Sequence, residues 1–150
     1  MELTIKIGQV YIMMGEHNNA KACLNKAIIS LKKSNQPHPE FIASAKYSLG
    51  VSFAKSDEHN TAFEYFTECF EIQTNEIKNR NCNISHTLHW LGKEHHALSE
   101  HSEALSRYTS VLFLYKKHKS IMKPQVVIET LHLVRIRLLY VLLAIQYKRV

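Results

Sequence analysis

Ten histidines and three cysteines are the residues of this chain best equipped for metal or nucleophilic chemistry. Cys82, His86 and His89 follow one another at spacings of four and three, which would put three zinc-ligating side chains on one helix face. The set stops there. No Cys-x-x-Cys pair and no fourth ligand accompany it, so surface or groove positions are expected in place of metal ligation. Cys23, Cys69 and Cys82 lack an evident base and orienting group, and there is no Gly-rich phosphate loop or paired catalytic carboxylate. The reading is of a chain with no catalytic set and no cofactor. One cluster does suit recognition: Trp90, the only tryptophan, lies beside His89 and three residues from Lys93. An indole with a cation next to it would accept an aromatic or acidic side chain from a peptide, although a buried aromatic is the ordinary alternative.

The elements that position this cluster are copies of one unit. Glu16-His17-Asn18-Asn19-Ala20 returns as Glu58-His59-Asn60-Thr61-Ala62 and as Glu100-His101-Ser102-Glu103-Ala104, with the histidines 42 residues apart (17, 59, 101). Ile7-Gly8-x-x-Tyr11, Leu49-Gly50-x-x-Phe53 and Leu91-Gly92-x-x-His95 precede these turns in the same register. Downstream, Ala20 is followed by Leu24 and Ala27, Ala62 by Phe66 and Cys69, and Ala104 by Tyr108 and Val111. Small residues beside large ones at helical spacing are how two helices of a hairpin pack closely. A fixed period of this kind means stacked units, none of which closes its own core. The turn histidines are then packing residues, because successive hairpins stand about 10 Å apart and one ion cannot be shared between them.

Periodicity and breakers place seven helices. The first covers residues 2–14 and the second is expected to be capped by Asn18 and to reach Lys33. Pro39 opens a third that ends near Lys55. Asn60 starts a fourth carrying Phe63, Phe66, Phe70 and Ile77 on one face, and residues 79–83 form a polar linker. The fifth spans about Ile84 to Leu98, the sixth about Ser102 to His118 and the seventh about Pro124 to Lys148. Short turns make neighbours antiparallel.

An apolar residue then Gly, an aromatic three later, Ala nine further and an aromatic four beyond resembles the tetratricopeptide repeat, a family of paired antiparallel helices. The long period, with His38-Pro39-Glu40-Phe41-Ile42-Ala43 before the second unit and Pro124-Gln125-Val126-Val127-Ile128-Glu129-Thr130-Leu131 before a fourth, resembles its kinesin-light-chain subclass. The resemblance implies an all-α solenoid of stacked hairpins in one domain over 1–150, with repeats at about 2–36, 37–80 and 81–121 and a degenerate fourth at 122–150. Histidine replaces the usual aromatic after each turn, His95 replaces the aromatic of the third first helix, and Asp57 and Ser99 stand where Gly15 stands in the first unit. These departures are expected to weaken packing locally.

In that family the first helix of each pair lines a concave groove. The resemblance thus assigns to the groove Ile5, Gln9, Ile12 and Met13, then Ser44, Tyr47, Val51 and Lys55, then His86, His89, Trp90, Lys93 and His96, and finally Glu129 and His132. The clamp by which some family members hold a Glu-Glu-Val-Asp tail needs lysine, asparagine and arginine on these helices. Here the corresponding places hold Ile5, Gln9, Tyr47, Val51, His89 and Lys93, which disfavours a chaperone-tail adaptor.

Charged residues at 21% and hydrophobics at 45% indicate a folded globular protein. A formal charge of +6 favours acidic partners. An odd number of cysteines without paired spacing suits a reducing compartment, and the N-terminal residues carry no secretory pattern, so a cytoplasmic location is expected. The apolar run Leu138–Ile145 is far shorter than the roughly 20 residues a membrane span needs. Apolar residues on more than one face of 124–148 need a cover, either the continuation of a longer repeat array or, the favoured expectation, a homodimer through that helix. The function expected is a non-catalytic scaffold or adaptor binding a partner's peptide segment, with an acidic or aromatic character. A peptide-sensing regulatory module and a basic nucleic-acid-binding repeat are the rival readings.

Overall fold

The computed structural model describes residues 2–34, 38–75, 84–117 and 128–136, with only the backbone for 115–117. Its elements are α1 (Glu2–Met13), α2 (His17–Lys33), α3 (Pro39–Ala54), α4 (His59–Asn75), α5 (Ile84–Ala97) and α6 (His101–Lys117). Residues 128–136 form a further helical segment, α7. The described residues contain no strand. The architecture is an all-α solenoid in which each helix packs on the next.

Three hairpins are built by the same device. Gly8 lies over Leu24, Gly50 over Phe66 and Gly92 over Tyr108, all three partners fully buried. A Cβ added at Gly50 would come within 2.7 Å of the Phe66 ring, so only glycine lets the two backbones approach this far. Ala20, Ala62 and Ala104 are also fully buried, as their place in the unit requires.

The turns repeat as faithfully. Gly15, Asp57 and Ser99 all take positive φ (78°, 60° and 65°), and the next residue donates its N–H to a carbonyl five positions back: Glu16 to Tyr11 at 2.9 Å, Glu58 to Phe53 at 3.0 Å and Glu100 to His95 at 2.8 Å. This six-residue closure is a Schellman turn, which satisfies carbonyls that a helix end would otherwise leave unpaired. The second helix then begins directly. Its first residue is His17, and the preceding Glu16 makes no side-chain capping bond, which corrects the expected Asn18 cap. α4 and α6 likewise start at His59 and His101, one residue before the expected positions. Ile77 and the parts of the expected last helix at 124–127 and 137–148 lie outside the described residues.

α1 touches α3 and α3 touches α5, whereas α2 and α4, and α4 and α6, make no such approach. First helices therefore stand closer together than second helices, which curves the stack toward the first-helix side. The hairpins are joined by apolar contacts: Leu24, Ala27, Ile28 and Leu31 share one core with Ala45 and Leu49, and Phe66 shares another with Leu91. Polar ties cross the same interfaces, including Gln9 to Ser48 at 3.2 Å and an ion pair from Lys21 to Glu58 at 2.6 Å. Lys46 pairs with Glu68 across the second hairpin.

Candidate functional site

Curvature brings the C-terminal end of α3 and the second half of α5 to one cleft of about 440 Å³, which Leu133 of α7 also lines. Lys55, Trp90, Lys93 and His96 line it, together with Ala54, His59, Glu94, Ala97 and Tyr108. Its wall is aromatic. The Trp90 ring stacks on Phe66 at 5.5 Å and 16°, and behind it Tyr47 meets the Phe66 ring edge-on at 5.8 Å. Trp90 is half-buried: one face is committed to the core while its periphery borders the cleft. The Lys93 ammonium lies 4.2 Å from the centre of the indole, a cation–π contact that holds a positive charge at the opening.

One wall group is acidic and buried. Glu94 is 2% exposed and accepts a 2.8 Å hydrogen bond from Nδ1 of His59 across the hairpin boundary. Burial pushes its carboxyl above the usual range, and the His59 bond opposes that shift without cancelling it. Sequence reasoning missed Glu94. Its signal was present in the register, for Glu94 occupies the place held by Val10 and Ser52 in the earlier units, on the face that packs against the preceding hairpin. A charged residue at such a position must find a partner.

The remaining expected residues are dispersed. Ile5 and Ile12 are core residues rather than groove residues, because α1 turns that face inward onto α2 and α3. Gln9 is tied to Ser48, and Met13 is 77% exposed at the end of α1. Ser44 is half-buried, as is Val51, which packs in the apolar core beside Phe53. Tyr47 is half-buried, its hydroxyl pushed up to about 12 by burial, so it stays neutral. His86 is half-buried.

His89 is buried rather than groove-facing. Its Nδ1 meets the Thr130 hydroxyl at 2.9 Å and its Nε2 lies 3.6 Å from Glu129. Burial lowers its pKa to about 4, with the nearby Lys93 charge adding to the effect, so the imidazole is neutral at pH 7 and fastens α7 to α5. Glu129 and His132 are exposed on α7. The turn histidines differ in burial: His17 and His59 are half-buried, but His101 is exposed, its ring edge-on to His96 at 5.8 Å.

A second, larger cleft of about 540 Å³ lies between α4, α5 and α6, lined by Phe70, Ile84, Leu88, Arg107 and Phe113 among others. Arg107 is its one charged group, beside the hydroxyls of Thr74, Thr109 and Ser110. The first cleft brings three charged groups, Lys55, Lys93 and Glu94, to the side of Trp90, an arrangement that orients a ligand, and is for that reason the candidate site.

Neither described cysteine is set up as a nucleophile. Burial pushes the Cys69 thiol up to about 11, and Cys23 donates to the Thr4 carbonyl at 3.3 Å. Cys82 lies outside the described residues, and among the described ones no three His, Cys, Asp or Glu side chains cluster as a metal site. No described helix is long and apolar enough to cross a membrane.

No curated protein matches the chain. The family model described as tetratricopeptide repeat matches residues 4–28, which lie on α1 and α2, the hairpin whose turn and glycine approach recur in the other two. That match, on a unit repeated through the fold, supports a tetratricopeptide-repeat family for the chain and with it a module for protein–protein interaction.

Proposed function

We propose that this protein is a non-catalytic scaffold that binds a segment of a partner protein in the cleft between α3, α5 and α7. The observation that carries the reading is the Trp90–Lys93 pair, an indole held flat on Phe66 with an ammonium over it, facing a cavity. An aromatic side chain of the partner would pack against the free edge of Trp90. A neighbouring carboxylate would meet Lys93 and Lys55, both exposed at the opening. Because the wall is already packed, only the partner's segment has to be ordered on binding, which reduces the entropic cost of association.

The chain is on this reading one repeat domain of kinesin-light-chain-like type, supported by Pro39 at the start of α3 and by the 42-residue register of its turns. Cys23 and Cys69, the two described cysteines, are both free, which fits a reducing, cytoplasmic setting.

The test is a set of fluorescent peptides that carry Tyr or Trp flanked by Glu, and the same peptides flanked by Lys, titrated against the protein and its Lys93→Glu variant. Acidic peptides should bind better, and the variant should lose about fivefold of that preference, the scale of one exposed charge pair. Equal binding of both peptide sets by both proteins would remove this cleft from consideration.

A further inference from the structure

The 540 Å³ cleft between α4, α5 and α6 lies where the second hairpin carries an ion pair. There Lys46 of α3 meets Glu68 of α4, and the Lys46 ammonium also lies 5.7 Å from the centre of the Tyr65 ring. At 42 residues further on, these three positions hold Leu88, Ser110 and Arg107, and all three line the cleft. A long cation and a carboxylate have given way to a leucine and a serine. The seam that Lys46 and Glu68 bridge in one hairpin is therefore hollow in the next.

The same exchange strips acid from α6. Glu64, Glu68 and Glu71 of α4 become Ser106, Ser110 and Phe113. Glu103, one turn before Arg107, accepts a hydrogen bond from the Ser102 hydroxyl at 2.6 Å. Among the described residues Arg107 makes no ion pair, and its guanidinium lies 5.8 Å from the centre of the Phe70 ring, at the outer range of a cation–π contact. Phe113, in the place of an acid, is 67% exposed beside it.

We infer that this cleft binds a small amphiphilic monocarboxylate, of the chemistry of a medium-chain fatty acid. Phe70, Ile84, Leu88 and Phe113 give the body of the ligand a wall of hydrocarbon. One cation calls for one negative charge, and a guanidinium can hold both oxygens of a carboxylate in its planar fork. The hydroxyls nearby do not add a second anion site, because their protons are committed to backbone carbonyls. Thr74 donates to Phe70 at 2.9 Å, and Thr109 and Ser110 donate to Ser106 at 2.8 and 3.0 Å. The volume falls within the range of about 300–1,000 Å³ that small-molecule sites span. The cleft shares no lining residue with the one beside Trp90, so this site does not depend on the peptide-binding reading.

Dodecanoate below its micelle concentration is the probe, titrated into the full chain by displacement of fluorescent dansylaminoundecanoate. Saturable binding is expected, at least tenfold tighter than that of dodecanol, which has the same chain and no charge. Arg107→Gln should weaken it at least tenfold, the scale of one charged hydrogen bond. Ser110→Glu returns an acid to the place of Glu68, one turn from Arg107, and should weaken it as much. Lys93→Glu should leave it unchanged. Ser110 is exposed and Arg107 half-buried, and circular dichroism of both variants should match the parent. Absence of saturable binding would overturn the proposal, as would dodecanol binding as tightly as the acid, or acid binding that survives either substitution. Loss of binding in Lys93→Glu would move the acid to the Trp90 cleft and overturn it too.

Discussion

Replacing Gly92 by alanine sets two opposing effects against each other, and the structure decides the sign. In an exposed helix the change would stabilise by about 1 kcal/mol, since glycine is the poorer helix former by that amount. Here the new methyl would lie 2.7 Å from Cδ1 and 2.9 Å from Cζ of Tyr108, and closer still to Cε1. Tyr108 is fully buried, so moving its ring aside would disturb the packing around it. Overpacking of this kind costs about 1–3 kcal/mol, and three ring atoms in collision place Gly92 in the upper part of that range. The net expectation is a loss of about 1–2 kcal/mol. Urea denaturation gives it directly, provided the slope of the transition is unchanged. Gly15→Ala is the informative control: nothing lies within 4 Å of its Cβ, but φ is +78°. It should lose about 1 kcal/mol from backbone strain alone. A Gly92→Ala protein as stable as the parent, or more so, would refute the reasoning, for it would mean that α5 and α6 are not held at this separation.

Two further outcomes follow from the same geometry. Ser99→Gly should stabilise by about 0.5–1 kcal/mol, because Ser99 holds a φ of 65° that glycine adopts without strain; thermal melts check it, and an unchanged midpoint would count against the left-handed turn. His89 is neutral in the fold down to about pH 4 but titrates at its ordinary value near 6.5 when unfolded, so below pH 6.5 the unfolded chain binds the extra proton. Stability should then fall as pH drops from 6.5 to about 4, by about 3 kcal/mol at 1.36 kcal/mol per pH unit, and a His89→Gln variant should flatten the profile across that window.

Much of this fold was readable in the spacing of residues. Gly8, Gly50 and Gly92, the alanines of the second helices and the Glu-His turns fix a hairpin register that the structure reproduces three times. Boundaries were less legible. Asn18 has the chemistry of a cap, but the Schellman closure at Gly15 starts α2 before that residue is reached. The candidate site was legible only in part. Lys55, Trp90, Lys93 and His96 do share a cleft, since they lie on neighbouring turns of first helices. His89 was misplaced because its orientation depends on α7, whose Thr130 hydroxyl it meets, and no local pattern encodes that contact. Glu94 and His59 became partners across a hairpin boundary, which periodicity within one unit does not show.

The central claim is that the cleft beside Trp90 receives a protein segment, and the single tryptophan makes it directly testable. A nitrogen–proton correlation spectrum contains one indole signal, which belongs to Trp90. On titration with the tightest acidic, aromatic peptide, the account predicts that this signal moves together with the amides of Lys55 and Lys93, at peptide concentrations that match the binding curve. Movement confined to Phe70, Arg107 and Phe113, with the indole signal fixed, would place the segment in the other cleft and contradict the account.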